Sequence, residues 1–379
     1  MLTVGALTLV TSATGSYAAG GMAAGAVGIG AALGAPVFGA VADRHGQRPV
    51  LLAAAALNAL AVMALIAAAW IPASGSSPAA FIVAGFLTGA TCPQVGPLAR
   101  VRWMALTSRN AGKDSGRDLN TALSYEGTAD ELTFVLGPAL VGILASLVAP
   151  WLPLALAVAM TITLVPAFAV HPTHQAVPLK RAAAAGAGKI PATVALPVLA
   201  MVAMGTFFGS TQTALSSFSA SFATSELAGL LYAVMGLSSA AAALSVAYWP
   251  RSFAPVARWM VSAAIMAGLA LLLVVPDSLG AMVGVLLVLG LPVGPVMVTV
   301  FTIGGIVGPA DRLGTVMTAL ASGIVAGTAL GAFLAGKLAQ AHGYETAFLV
   351  PVVAAASLFV LGVAAAALLR NGRQTGLRD

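Results

Sequence analysis

Gly39-Ala40-Val41-Ala42-Asp43-Arg44-His45-Gly46-Gln47-Arg48-Pro49 breaks two long apolar runs, 17–42 and 49–71, neither of which holds an Asp, Glu, Lys or Arg. Each run is long enough to cross a hydrocarbon layer of ~30 Å as a helix. The polar cluster therefore reads as a tight turn at a membrane surface. Its parts have separable uses. Gly39 lets a neighbouring helix approach closely. Asp43 is an acceptor suited to the N-terminus of another helix. Gly46 permits the turn. Arg44 and Arg48 can pair with carboxylates or lipid phosphates.

The rest of the chain agrees with a membrane setting. Of 379 residues, 60% are hydrophobic and 7% charged, where a soluble domain carries ~25% charged residues. Mean hydropathy is +1.00. The formal charge of +6 sits in short loops between apolar blocks, which points to membrane topology and not to nucleic acid. Cys92 is the single cysteine, and His45, His171, His174 and His342 are scattered. Neither pattern makes a metal site. No nucleophile–base pair or cofactor loop marks an enzyme, and no cofactor is expected.

Apolar patterning predicts helices over 17–42, 49–71, 79–102, 119–148, 150–170, 191–222, 226–249, 254–275, 278–303, 313–338 and 344–369, after a shorter apolar piece from Met1 to Val10. That piece reads as the outer half of a first helix whose beginning is missing. Alternating the loops puts every Lys and Arg except Lys337 on one side, from Arg44 and Arg48 to Arg370, Arg373 and Arg378. Such a bias makes that side, and the C-terminus, cytoplasmic.

Three segments recur in the same order in the second half. Ser16–Gly20 resembles Ser225–Gly229, Val95-Gly96-Pro97 matches Val293-Gly294-Pro295, and Leu136–Ala145 matches Leu330–Ala339. The repeat implies two six-helix bundles, 1–170 and 191–379, joined by a linker at 171–190 that carries Pro172 and Pro178.

The Gly39–Pro49 loop resembles the signature loop of the major facilitator superfamily, G-x-x-x-D-R-x-G-x-R, with Gly39, Asp43, Arg44, Gly46 and Arg48 in place. The resemblance implies an all-helical fold of two six-helix bundles related by a pseudo-twofold axis, working by alternating access. It also implies a conformational latch, with Asp43 facing the start of the eleventh helix near Gly314 to Thr318. In the second copy, Tyr248 to Arg258, the acid is lost. Gly21 and Gly25, with Gly323, Gly327 and Gly331, have small-xxx-small spacing. The resemblance implies that these two helices, two and eleven, meet. It also implies that helices four and ten gate, and there Pro93, Pro97, Pro292 and Pro295 free backbone carbonyls.

Glu126, Asp130 and Glu131 lie inside the fifth span. Asp130 is eleven residues past Leu119, or ~16 Å along a helix. A charge at the bilayer centre costs ~2.5–3.5 kcal/mol on insertion scales. Glu126 and Asp130 share a face one turn apart, and two close carboxylates in low dielectric do not both ionise easily. A proton-coupling site and a structural network with Ser, Thr, Tyr, Arg100 or Arg102 both fit. The following Gly137-Pro138 partly resembles the family's antiporter motif, with Thr133 in place of an earlier Gly. Helix four lacks a mid-membrane Arg.

The seventh helix is polar, with Thr206, Ser210, Gln212, Thr213, Ser216 and Ser217 beside Phe207 and Phe208. Gln94, Phe208 and Gln212 either line a substrate cavity or bond between helices. With no mid-membrane Lys or Arg, a neutral or cationic substrate is expected. The reading is a monomeric, multi-pass transporter of the cell membrane. It exports a small amphipathic compound, with protons and membrane lipids as its other partners. A metabolite importer and a non-transporting receptor are the alternatives.

Overall fold

The computed structural model describes residues 1–70, 78–109, 115–177, 191–222, 227–250 and 252–375. Most of the 171–190 linker, with Lys180, Arg181 and Lys189, lies outside the described residues, as do Lys113, Arg251 and Arg378. Every long described element is a helix: α1 Leu2–Thr14, α2 Tyr17–His45, α3 Gln47–Trp70, α4 Pro78–Ala90, α5 Val95–Arg109, α6 Ser115–Leu147, α7 Leu152–Val170, α8 Ala195–Phe222, α9 Leu227–Ser245, α10 Pro255–Ala270, α11 Leu279–Val307, α12 Leu313–His342, α13 Tyr344–Ala347 and α14 Leu349–Thr375. Eleven described helical stretches are long and apolar enough to cross a membrane. Helices are the way a chain satisfies its own backbone where no water can reach it.

The chain divides into two compact units. The first comprises Met1–Leu106, Leu136–Ala187 and Ala310–Val325, and the second Thr107–Val135, Gly188–Pro309 and Ala326–Asp379. Helices α6 and α12 thus each contribute to both. In the first unit Ala6, Leu9 and Val10 pack with Val27, Leu65, Phe81 and Leu154 in one apolar core. A second core joins Ala42, Leu51, Leu98 and Ala169 beneath the polar turn. In the second unit Trp259 Nε1 donates to the Leu358 carbonyl at 3.1 Å, tying α10 to α14. Phe218 packs at a tilt against Phe222 (4.7 Å between centroids) and edge-on against Tyr344 (5.2 Å), fastening the end of α8 to α13.

Glycines set the closest helix contacts, but not all those expected. Gly21 and Gly25 face open space. The tight seam of α2 lies further on. A Cβ at Gly30 or Gly34 would strike the α4 backbone at Phe86 or Ala90, and one at Gly89 would strike Val27 and Ala31. Gly327 and Gly331 press instead on α8, at Val202 and Thr206. Spacing alone cannot say which face of a glycine-rich helix is covered, and α2 has small residues on every face.

The span expected as one helix over 79–102 is broken. Helix α4 stops at Ala90 and α5 starts at Val95. Pro93 sits in the gap, and its missing N–H removes a helical bond. Asn58 of α3, 1% exposed, repairs part of the loss. Its Nδ2 donates to the Thr88 carbonyl at 2.8 Å and to Thr91 Oγ1 at 3.3 Å. In contrast, α11 runs unbroken through Pro292 and Pro295, and α6 through Pro138.

Replacing Gly34 by Leu should therefore destabilise the protein by ~1–3 kcal/mol, the usual cost of overpacking. Gly25→Leu should leave stability near wild type. Thermal unfolding of the detergent-solubilised protein checks both.

Candidate functional site

The polar turn is built by the end of α2. Gly46 closes the helix with φ 90°, returning its N–H to the Ala42 carbonyl. That backbone region favours glycine. One turn earlier Asp43 aims at the first turn of α12. Its Oδ1 accepts from Gly314 N at 2.8 Å, and its Oδ2 accepts from Thr315 N at 2.7 Å and Thr315 Oγ1 at 2.6 Å. All three donors belong to a helix N-terminus, where backbone N–H groups lack internal partners and the dipole favours an anion. A Cβ at Gly39 would meet Thr318 Oγ1 and the Gly314 carbonyl, so the glycine is what lets α12 come this near. The contact falls where the loop resemblance placed it, at Gly314–Thr318.

Arg102 and Gln47 hold the turn in place. Arg102, 2% exposed, donates from Nε to Gln47 Oε1 at 2.7 Å. Its Nη1 donates to the Phe168 carbonyl at 2.7 Å and Thr173 Oγ1 at 3.1 Å, and its guanidinium lies 3.7 Å from the centre of the Phe168 ring. Gln47 in turn donates to the Leu98 carbonyl. Arg102 thus binds the ends of α3, α5 and α7 into one block. A cavity of about 200 Å³ opens beside it, lined by Asp43, His45, Arg48, His174 and Asp311 among others. Arg44 and Arg48 are exposed.

The three acids of α6 separate. Glu126 and Asp130 are half-buried, and neither stands free. Glu131 is 2% exposed, and its Oε1 has no hydrogen-bond partner. The Ser239 hydroxyl of α9 is the group set against its carboxyl, without completing a well-formed bond. Around it, Thr128 Oγ1 reaches the Ala240 carbonyl at 3.2 Å. A Cβ on Gly127 would strike Val298 of α11. The most enclosed carboxyl is therefore not one of the Glu126–Asp130 pair that shares a face. Within the first unit Arg102 Nε and Nη1 bond to Gln47, Phe168 and Thr173, while its Nη2 has no hydrogen-bond partner.

The residues expected to line a substrate cavity are divided between the two units. Gln94 belongs to the first unit and donates to its neighbour, the Cys92 carbonyl, at 2.8 Å. Phe208 and Gln212 belong to the second. Phe208 is buried and meets Phe134 of α6 at 5.7 Å between centroids, while Gln212 is exposed. Thr206, Ser210 and Thr213 return their hydroxyls to their own helix, at Val202, Thr206 and Gly209, which explains how so polar a helix lies in an apolar setting. Gly137, beside Pro138, faces the first residue, Met1.

Several solved structures share this fold. The human organic anion transporter MFSD10 (TETRAN) superposes with a TM-score of 0.68 at 21% identity, over 95% of this chain and 89% of that one. A bacterial homologue of the iron transporter ferroportin, in an outward-facing state, gives 0.70 at 15% identity over 97% and 98%. The E. coli fucose:proton symporter FucP gives 0.62 at 17% over 96% of each chain. Identities this low speak for the fold alone. No curated protein sequence matches significantly. The family model described as Major Facilitator Superfamily matches residues 1–324, and this chain belongs to that superfamily of membrane transporters.

Proposed function

We propose that this transporter exports a small amphipathic compound, neutral or cationic, in exchange for protons. The reading has two bundles, 1–170 and 191–379, joined by the 171–190 segment and rocking about a central site. The observation that carries it is Glu131. A carboxyl buried in a membrane-spanning helix, with one oxygen unsatisfied and no cation on α8, α9 or α11, is costly as an anion and inexpensive as a neutral acid. Taking up and giving up a proton is what such a group can do for a transport cycle. The Gly137-Pro138 resemblance favours export. The absence of Lys and Arg from α8, α9 and α11 favours a substrate that is not strongly anionic. The basic loops favour a cytoplasmic C-terminus in the cell membrane. A proton-coupled importer uses the same groups in the other direction.

Inside-out vesicles with ethidium as the probe cation test this. An imposed proton gradient, acid inside, should drive ethidium uptake. Glu131→Gln should lower that uptake tenfold or more while leaving protein levels unchanged. Equal gradient-driven uptake in Glu131→Gln removes the coupling assignment. Uptake only under the opposite gradient favours the importer.

The Asp43 contact reads as the latch of the closed cytoplasmic side. Asp43→Asn keeps the shape but gives up the charge at the α12 N-terminus, an interaction of ~0.3–1 kcal/mol when exposed and up to ~2 kcal/mol when partly buried. In a Cys92→Ser background, a Val101→Cys probe beside the latch should then react up to about thirtyfold faster with a maleimide. An unchanged rate would leave Asp43 with a purely topological role.

A further inference from the structure

Many hydroxyls of this protein bond back to their own helix, and Ser239 is one of several buried ones, with Ser124, Thr211 and Thr299 among them, that do not. Ser238 donates to Met235, Thr128 reaches Ser124, Ser245 donates to Ala242 and Thr302 to Val298. Each satisfies a buried hydroxyl on its own helix. Ser239 is fully buried, yet its Oγ has no such bond. It is the group set against the Glu131 carboxyl, whose Oε1 is likewise unsatisfied.

The backbone beneath it is fixed. A Cβ at Gly294 of α11 would meet the Ser239 carbonyl and Ala243, and one at Gly290 would meet Ser238 Oγ and the Met235 carbonyl. Helices α9 and α11 therefore touch backbone to backbone on both sides of Ser239. Helix α6 is pinned against the same seam by Gly127 on Val298 and by Thr128 on the Ala240 carbonyl. The Glu131 side chain, one turn beyond Thr128, meets a hydroxyl whose place is set by three helices.

We propose that Ser239 is a positioning residue of the proton site, holding the Glu131 carboxyl in both of its protonation states. A hydroxyl suits the task because it both donates and accepts. Against a carboxylate, the Ser239 O–H donates to a Glu131 oxygen. When a proton binds that carboxyl, the new O–H of Glu131 donates to Ser239 Oγ, and the serine proton turns away. No bond other than these hydrogen bonds is made or broken. A backbone N–H could serve only the first state and a carbonyl only the second. The other titratable groups here are Asp130 and Glu126 on α6 and Tyr232 on α9. Helices α8 and α11 carry no Asp, Glu, His, Lys, Arg or Tyr.

The inference rests on Glu131 being the proton carrier, and the test separates the two. Purified protein in liposomes is titrated with infrared detection of the protonated-carboxyl band, which needs no substrate. The part of the band lost in Glu131→Gln is the Glu131 signal, and its absence at all pH values overturns the proton reading itself. Where that signal is present, Ser239→Ala removes the donor that serves the carboxylate, so the midpoint should move up by about one pH unit, a tenfold change in proton affinity. Ser239→Thr should restore it, and Ser238→Ala, whose hydroxyl serves its own helix, should leave it unmoved. Ser239→Cys, nearly the same size with a weaker donor, should give a smaller shift in the same direction and stands in should the alanine variant not fold. A midpoint unchanged in Ser239→Ala, or in Ser239→Cys where the alanine variant does not fold, overturns the positioning role and leaves the proton reading intact.

Discussion

A backbone N–H or carbonyl in hydrocarbon must find its partner inside the protein, and most of this structure follows from that requirement. It makes long helices of the apolar runs. It also decides what happens where a helix fails. The gap at 91–94 leaves Thr88 without its usual donor, and a buried asparagine from α3 supplies one. Lipid gives little drive for one apolar helix to bury against another, so the helices gain by approaching closely, and glycine is what permits it. The seams at Gly30, Gly34 and Gly89 in one unit, and at Gly290, Gly294, Gly327 and Gly331 in the other, are its result.

The same requirement gives Asp43 its leverage. The first turn of α12 carries N–H groups with no partner in their own helix, and Asp43 takes two of them and a hydroxyl. These bonds are strong because one partner is ionised, yet they are few and sit at the edge of the apolar region. A contact of that kind suits the latch proposed above, one released and remade within a transport cycle. Arg102 works differently. Its bonds to Gln47, Phe168 and Thr173, with the Phe168 ring beneath it, stay within one block and keep the Asp43 turn aimed.

Much of this was legible in the residues. Apolar length gave the spans, because a helix that crosses lipid cannot hide its composition. The spacing Gly39, Asp43, Arg44, Gly46, Arg48 located the turn and, through resemblance, its partner at Gly314–Thr318. What escaped depends on azimuth, which composition does not record. Gly21 and Gly25 have the right spacing on a face that no described residue covers. Glu126 and Asp130 share a face, but the enclosed acid is Glu131, because α9 and α11 happen to close over that side. Asn58 and Ser239 look like ordinary polar residues in apolar runs. Only a Pro in the next span, for Asn58, hinted at a reason. For Ser239, the acid it faces lies on another helix and left no trace in the local sequence.

Proton-coupled export requires that solute movement carry protons with it. Purified protein in liposomes loaded with ethidium and a pH indicator, with the membrane potential clamped, measures this directly. As ethidium leaves down its gradient, the lumen should acidify in proportion to the amount that crosses. Ethidium that leaves through the protein while the luminal pH stays constant would contradict it.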